Sequence, residues 1–420
     1  MHVIVIGAGV AGLTTAWLLQ QEGLRVTVLE RAGAAGQGAS RGNGAQLSYS
    51  YVAPLAEPAV VGKLPTLLAD EDSPLKFHFQ FDPLQWRWGL AFLRACRFEQ
   101  AQATTRALLA LAALSRGVTE QVIGEARIDC AFAHSGKLVL YPDAAALATA
   151  QAQLQFQAGL GCEQHLLDRA ACIAREPALA GYAAQIAGGV WTPSEAAADC
   201  GAYCDALAAR LQERGAALQF GTEVTGIAAD KGGVRLHTAR GPLHADHAVL
   251  ANGSHAAQLG ARAGLRLLVY PLKGYSITVP VPAGAPLPQV SITDTRRKVV
   301  FAPLVAGARR LLRVAGFVEL TGHDERLLPA RIEALAQATR EVIGLEPAGD
   351  LAPWCGFRPA TPTGLPLLGA TPRKTLWLNV GQGALGWTLA GGSARLVVDA
   401  LLGRASAVDA RPFAYPFAYR

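Results

Sequence analysis

The residues whose types and spacing point most directly to chemistry are Gly7-Ala8-Gly9-Val10-Ala11-Gly12, which follow the apolar run Val3-Ile4-Val5-Ile6. Gly7 permits a tight turn, Gly9 lets backbone approach a pyrophosphate, and Gly12 lets a helix pack closely on a strand. The helix start then offers free N–H groups and the positive end of its dipole to phosphate. Ile6, Ala8, Val10 and Ala11 complete that cradle. Glu30 ends the next apolar run, Arg25-Val26-Thr27-Val28-Leu29. A carboxylate there accepts ribose hydroxyls and repels a 2′-phosphate, which favours FAD or NAD over NADP. Arg31 stands beside it as a further cofactor contact.

A second glycine turn lies near the C-terminus. Leu376-Trp377-Leu378-Asn379-Val380 runs into Gly381-Gln382-Gly383-Ala384-Leu385-Gly386-Trp387-Thr388, without the spacing for a pyrophosphate. A helix start here, carried by Gly383, Leu385, Gly386, Trp387 and Thr388, would aim positive potential at an anion such as the N1–C2=O edge of a reduced flavin. The loop Ala32 to Gly44 is poor in bulky side chains, so backbone can run beside a flat ligand. Ser40 and Asn43 in this loop, and Gln46 just after it, are candidate contacts.

These motifs need elements to position them. The sequence predicts a strand–turn–helix–strand unit over residues 1–30 and a strand from Ala245 to Ala251 with Asn252 and Gly253 at its tip; in two-dinucleotide-fold flavoproteins such a strand returns to the first sheet. A helical pattern covers Phe77 to about Ala126. Strands are predicted at Lys137–Tyr141 and Gly188–Pro193, and helices at Ala145–Gly159 and Cys200–Arg214. Leu218–Phe220, Glu223–Ile227 and Gly233–His237 read as a strand meander carrying Val224. Tyr270–Val279, Lys298–Pro303 and Arg310–Gly316 alternate like antiparallel strands with one buried face, and a helix follows from about Pro329 to Ile343.

The chain has 420 residues, 51% of them hydrophobic and 17% charged, with a net charge of +6. That size and apolar content predict a globular protein of two structural domains and argue against disorder. The positive charge favours anionic partners, but no basic run interleaved with aromatics points to nucleic acid. The seven cysteines are scattered without a paired CxxC grouping. They read as free thiols in a reducing compartment with no metal site. The uncharged stretch Val3–Leu19 lacks a basic flank and carries the phosphate-loop glycines, so it reads neither as a signal peptide nor as a membrane span. A cytoplasmic protein is expected. Leu84 to Arg94 mixes tryptophans with arginines, which suits either a helix covering a sheet or one lying at a bilayer surface.

The glycine motifs, Asn43 to Pro54, Asp199-Cys200, Tyr270-Pro271-Leu272-Lys273-Gly274-Tyr275-Ser276, Gly356 to Gly369 and Leu385-Gly386-Trp387-Thr388 together resemble the FAD-dependent D-amino-acid dehydrogenase family. That family lies within the wider amine-oxidising group that includes glycine and sarcosine oxidases. The resemblance implies an α/β two-domain flavoprotein: a Rossmann-like FAD-binding domain, and an α+β substrate domain built on an antiparallel sheet. On that reading, residues 1–80, 195–265 and 352–420 form the discontinuous FAD domain, and residues 81–194 and 266–351 the substrate domain.

The resemblance further implies noncovalent FAD. It implies oxidative deamination of D-amino acids by hydride transfer from Cα to the flavin, with electrons passed to a quinone or the respiratory chain. It also implies peripheral attachment to the inner face of a bacterial membrane. Arg358 matches the family's carboxylate-binding arginine, a role suited to a guanidinium that pairs bidentately with a planar anion. Tyr275 would add a hydrogen bond to the carboxylate, and Tyr51 or Tyr49 would line the side-chain pocket. Lys273 and Arg313 are weaker candidates for positive potential near the flavin.

The chain departs from the family pattern at Thr363, Gln382 and Arg41, which bears on substrate range. The family thiol that attaches flavin covalently in some relatives aligns one residue away from Cys355. The alternative within enzymes is oxidation of secondary amines or imino acids such as glycine, sarcosine or D-hydroxyproline. The alternative outside enzymes is a flavin-binding scaffold without chemistry of its own.

Overall fold

The computed structural model describes residues 1–60, 62, 75–78 and 80–415. Its centre is a six-stranded sheet whose parallel core is the strand His2–Ile6, flanked by Arg25–Leu29 and His247–Leu250. Val3, Ile4, Val5 and Ile6 are all buried, as expected of a parallel strand covered by helices on both faces. Ala217–Gln219 joins beyond Arg25–Leu29, and Leu376–Val380 joins beyond His247–Leu250. The expected return of the 245–251 strand to this sheet is therefore observed. Leu218–Phe220 departs from expectation: it extends the parallel sheet, and the meander consists of Val224–Asp230, Gly233–Thr238 and Leu243–Ala245.

The helix Val10–Gln21 buries Leu13, Trp17 and Leu18 between Cys200–Glu213 and Gly386–Leu401. The last of these helices also receives Phe98–Glu125, and glycines set the distance. A Cβ at Gly391 would stand 2.6 Å from Thr119 Oγ1, and one at Gly392 2.6 Å from the Leu111 carbonyl. Small residues at such a crossing let helix backbones approach closely. The predicted helical stretch Phe77–Ala126 resolves into a strand, Leu75–Phe77, and two helices, Pro83–Ala95 and Phe98–Glu125.

A nine-stranded, largely antiparallel sheet forms the second layer. Tyr270–Pro280 lies between Trp354–Ala360 and Arg309–Leu320. The expectation of one buried face does not hold here, because every residue from Tyr270 to Ile277 is buried. Ile277 and Val279 pack beneath the helix Pro329–Ile343, and Ser276 Oγ on the opposite side donates to the Gly42 carbonyl at 2.6 Å.

Two segments sit across the expected boundaries. Residues 98–125 pack into the apolar core of the six-stranded sheet, while 354–360 form a strand of the nine-stranded one. Stretch 63–74, in the expected first segment of the FAD domain, lies outside the described residues.

Candidate active site

The glycine turn has the geometry that its spacing implies. Gly7 adopts φ +110°, and a Cβ there would stand 2.6 Å from the Ala251 carbonyl oxygen. A Cβ at Gly12 would stand 1.9 Å from the Gly7 carbonyl oxygen. The glycines therefore bring the first helix, the first strand and the 247–250 strand into backbone contact. The Ala8 N–H donates to Glu30 Oε2 at 2.8 Å, and the Ala32 N–H donates to Oε1 at 2.9 Å. Two backbone donors thus fix the carboxylate at the strand tip, with lone pairs left for a ligand. Ser40 Oγ accepts from the Val10 N–H at 3.1 Å and ties the 32–44 loop to the helix start.

These residues border one cavity of about 1210 Å³ between the two sheets. Among the predicted contacts, Ile6, Gly7, Gly9, Val10, Ala11, Glu30, Arg31, Ser40, Asn43, Gln46, Val224, Asn252 and Gly253 line it. Gly383, Leu385, Gly386, Trp387 and Thr388 line it at the start of the last helix, and Tyr51, Tyr275 and Arg358 also contribute. Ala8 and Gly12 do not: Ala8 is buried behind Glu30, and Gly12 is filled by the Gly7 carbonyl. Asn252 Oδ1 is buried without a hydrogen-bond partner among the described residues, and Asn252 borders the cavity. A buried acceptor left open beside a phosphate-type glycine turn is one that a bound dinucleotide can satisfy.

Arg358 projects from the strand Trp354–Ala360. Its Nη1 donates to the Phe317 carbonyl at 2.9 Å, and no acid lies within ion-pairing distance among the described residues. Phe317 has φ +65°, at an irregularity where the ladder with Tyr270–Pro280 shifts register. Bulges of this kind re-aim backbone groups, and this one turns a carbonyl onto the guanidinium. Gly274 gives the arginine its room, since a Cβ there would approach Nη1 to 2.5 Å. Burial lowers the Arg358 pKa to about 10, so the group stays charged and lacks a counter-ion.

Tyr275 borders the cavity with its hydroxyl engaged elsewhere. Its hydroxyl donates to Glu319 Oε2 at 2.8 Å, and Glu319 Oε1 accepts from Arg331 Nε at 2.8 Å. The Tyr275 hydroxyl is thus committed to a buried acid on the neighbouring strand, which with burial pushes its pKa up. Lys273 and Arg313, unlike Tyr275, lie away from the cavity wall. Lys273 Nζ donates to the Arg326 carbonyl at 2.6 Å, while Arg313 reaches the Asn43 carbonyl at 2.9 Å and Thr278 Oγ1 at 2.8 Å. The Cys355 thiol borders the cavity, lies 3.2 Å from the Glu325 carbonyl, and has its pKa raised by burial. Tyr49 is buried with its hydroxyl unpartnered.

Two charged residues that the sequence reading passed over are found here. Lys137 borders the cavity with only 3% of its surface exposed; its Nζ donates to Ser48 Oγ at 2.9 Å and sits 4.3 Å from the centre of the Tyr51 ring. Burial lowers its pKa to about 8, against the opposing pull of Glu195. Glu195 accepts the Tyr49 and Ser50 N–H groups, and burial raises its pKa. The signal was a lysine opening the otherwise apolar strand Lys137–Tyr141, which is buried on both faces.

The sequence model of the FAD dependent oxidoreductase family matches residues 2–400. The chain is 46% identical to D-amino acid dehydrogenase 2 of Ralstonia nicotianae, covering 99% of each chain. It is 44% identical to D-amino acid dehydrogenase 2 of Pseudomonas aeruginosa, covering 97% of this chain and 96% of that one. Among solved structures it resembles glycine oxidase from Geobacillus kaustophilus, with a TM-score of 0.77 and 26% identity over 98% of this chain and 97% of that one. A glycine cradle, an acid at the tip of the second strand, a buried acceptor without a partner among the described residues and a helix start on one cavity fit FAD, and the chain belongs to the FAD-dependent oxidoreductase family.

Proposed function

We propose that this protein oxidises D-amino acids to 2-oxo acids and ammonia, with FAD held by the glycine cradle, Glu30 and the 383–388 helix start. The observation that carries this reading is the Arg358 guanidinium, charged, without an acid partner among the described residues, and bordering the cavity. Burying a cation without a counter-ion is costly, and an amino-acid carboxylate offers a planar anion to offset that cost. The names of the full-length relatives supply the substrate class.

FAD, when bound, supplies the acceptor for two electrons and the Cα hydrogen. Arg358 would fix the carboxylate and so orient Cα, and Tyr51 would border the side chain. The amine must be neutral as its Cα hydrogen leaves, and the imino acid is then hydrolysed by water. Tyr275 supports the site through Glu319 and Arg331 rather than by meeting substrate. The FAD-binding unit would follow the six-stranded sheet and the substrate-binding unit the nine-stranded one.

Anaerobic mixing of the purified yellow protein with D-alanine, D-proline, L-alanine and sarcosine tests the reading. Loss of flavin absorbance with the D-amino acids alone supports it. Bleaching by sarcosine instead would move the assignment to secondary amines. Bleaching by none would leave a flavin-binding scaffold.

The electron acceptor in this proposal is a membrane quinone. No helix among the described residues is long and apolar enough to cross a membrane. The helix Pro83–Ala95 offers a surface contact instead. Trp88 is buried on one face, its Nε1 donating to the Ala360 carbonyl at 2.8 Å, while Trp86, Leu90, Leu93 and the following Phe98 are exposed beside exposed Arg87, Arg94 and Arg97. Apolar side chains fringed by arginines suit an acidic bilayer surface. The protein is expected to float with phosphatidylglycerol vesicles and to leave them at high salt. A W86S/L90S/L93S variant should remain in the pellet fraction with its flavin bound. Equal flotation of both proteins would refute this surface.

A further inference from the structure

Resting on the amino-acid reading above, we propose that the preferred substrates carry a second carboxylate on the side chain, and that Lys137 is the residue that recognises it. Lys137 does not belong to the glycine cradle or to the arginine site, yet its ammonium is almost completely buried on the wall of the same cavity. No acid lies within ion-pairing distance of it among the described residues. Among the described residues its one hydrogen bond goes to Ser48 Oγ, and the Tyr51 ring covers it from 4.3 Å. An ammonium has three donors, so two remain for a ligand.

Leaving a charge buried without a counter-ion is unfavourable, and such groups concentrate where a ligand completes them. The cavity wall thus carries two buried cations without an ion-pair partner among the described residues, Arg358 and Lys137, the second held charged in part by nearby Glu195. A monocarboxylic amino acid satisfies one, while an acidic one satisfies both. Tyr51 and Ser48 set the place of the second: Tyr51 belongs to the side-chain pocket, and the Ser48 N–H, bonded to Thr388 Oγ1 at 3.0 Å, anchors this wall to the start of the last helix. Glu195 sits behind the segment, its oxygens occupied by the Tyr49 and Ser50 N–H groups. It keeps the surroundings of Lys137 from being wholly positive without neutralising it.

The test compares D-glutamate with D-glutamine, which differ in the side-chain charge and little in size, and includes D-alanine. Wild-type protein is expected to reduce its flavin with a kcat/KM at least roughly tenfold higher for D-glutamate than for D-glutamine, the scale of one charge-assisted hydrogen bond. Lys137→Met should abolish that preference while leaving D-alanine within about twofold. Lys137→Arg should restore part of it. The D-glutamate advantage should also fade as pH rises through about 8, where Lys137 loses its proton; among the described residues it faces Glu195 as the charged group acting on it and Tyr51 and Ser48 as contacts, with Glu57 on the same cavity beyond Tyr51.

Glutarate titrated into the oxidised protein gives a readout without turnover. It should perturb the flavin spectrum more tightly than butyrate does, and Lys137→Met should remove the difference. If D-alanine bleaches the flavin and D-glutamate is no better than D-glutamine, the acidic-substrate inference fails and the amino-acid reading stands. If no D-amino acid bleaches it, the amino-acid reading itself fails. An equal loss on all three substrates in Lys137→Met, with a shifted flavin reduction potential, would assign the lysine to the flavin and overturn its role in specificity.

Discussion

Replacing Arg358 with alanine should lower kcat/KM for a reducing D-amino acid by at least about a hundredfold while FAD stays bound. Removing one partner of a buried, charged hydrogen-bonded pair typically loses about 3 kcal/mol or more, and each 1.4 kcal/mol is a factor of ten. The loss falls on substrate because Arg358 touches no part of the glycine cradle: its hydrogen-bond partner is the Phe317 carbonyl, two strands away in the same nine-stranded sheet. Arg358→Lys should recover only part, chiefly as a raised KM, since an ammonium keeps the charge and loses the planar fork. Gly274→Ala offers a second route to the same site. Its new Cβ would press on Nη1 from 2.5 Å and displace the guanidinium without removing it. Steady-state kinetics of the flavin-loaded variants decide the matter, and unchanged KM and kcat in Arg358→Lys would remove the arginine from the carboxylate role.

Gly12→Ala should release FAD. The added Cβ would stand 1.9 Å from the Gly7 carbonyl oxygen and 3.4 Å from Ala251 Cβ. Neither neighbour can yield cheaply, since the first is backbone and the second lies just beyond the 247–250 strand. Alanine favours helical conformation over glycine by up to about 1 kcal/mol, so any loss comes from the contact and not from backbone propensity. Overpacking of this kind costs about 1–3 kcal/mol. It also moves the helix start that faces the phosphates. The ratio of flavin to protein absorbance after purification, and titration of apoprotein with FAD, should show binding weakened by tenfold or more. Full occupancy in Gly12→Ala would mean that helix and strand have slack which the distance denies.

The parts of the site legible in the sequence are those fixed by local chemistry. The turn Gly7–Gly12, Glu30 at a strand tip and the glycines before the last helix are set by backbone sterics within a few residues. Their roles could be read without knowing what lay opposite. The strand His2–Ile6 and the helix Pro329–Ile343 announced themselves by unbroken apolar runs and 3.6-residue spacing, and both formed where the pattern put them. The resemblance supplied Arg358, which no spacing singles out, since a lone arginine among turn residues has no periodic signature.

What only the tertiary structure decided concerns partners distant in the chain. Whether the Tyr275 hydroxyl meets substrate depended on Glu319, a residue 44 positions away that claims it. Whether Leu218–Phe220 belonged to a meander or to the parallel sheet depended on the open edge of Arg25–Leu29. Lys137 looked like an ordinary strand lysine until Ser48 and Tyr51, 89 and 86 residues before it, closed around its ammonium. The physical reason is common to all three. Sterics and hydrophobic period act over a few residues and are written in composition, whereas desolvation and hydrogen-bond competition depend on which groups the fold brings together, and a single side chain carries no record of that.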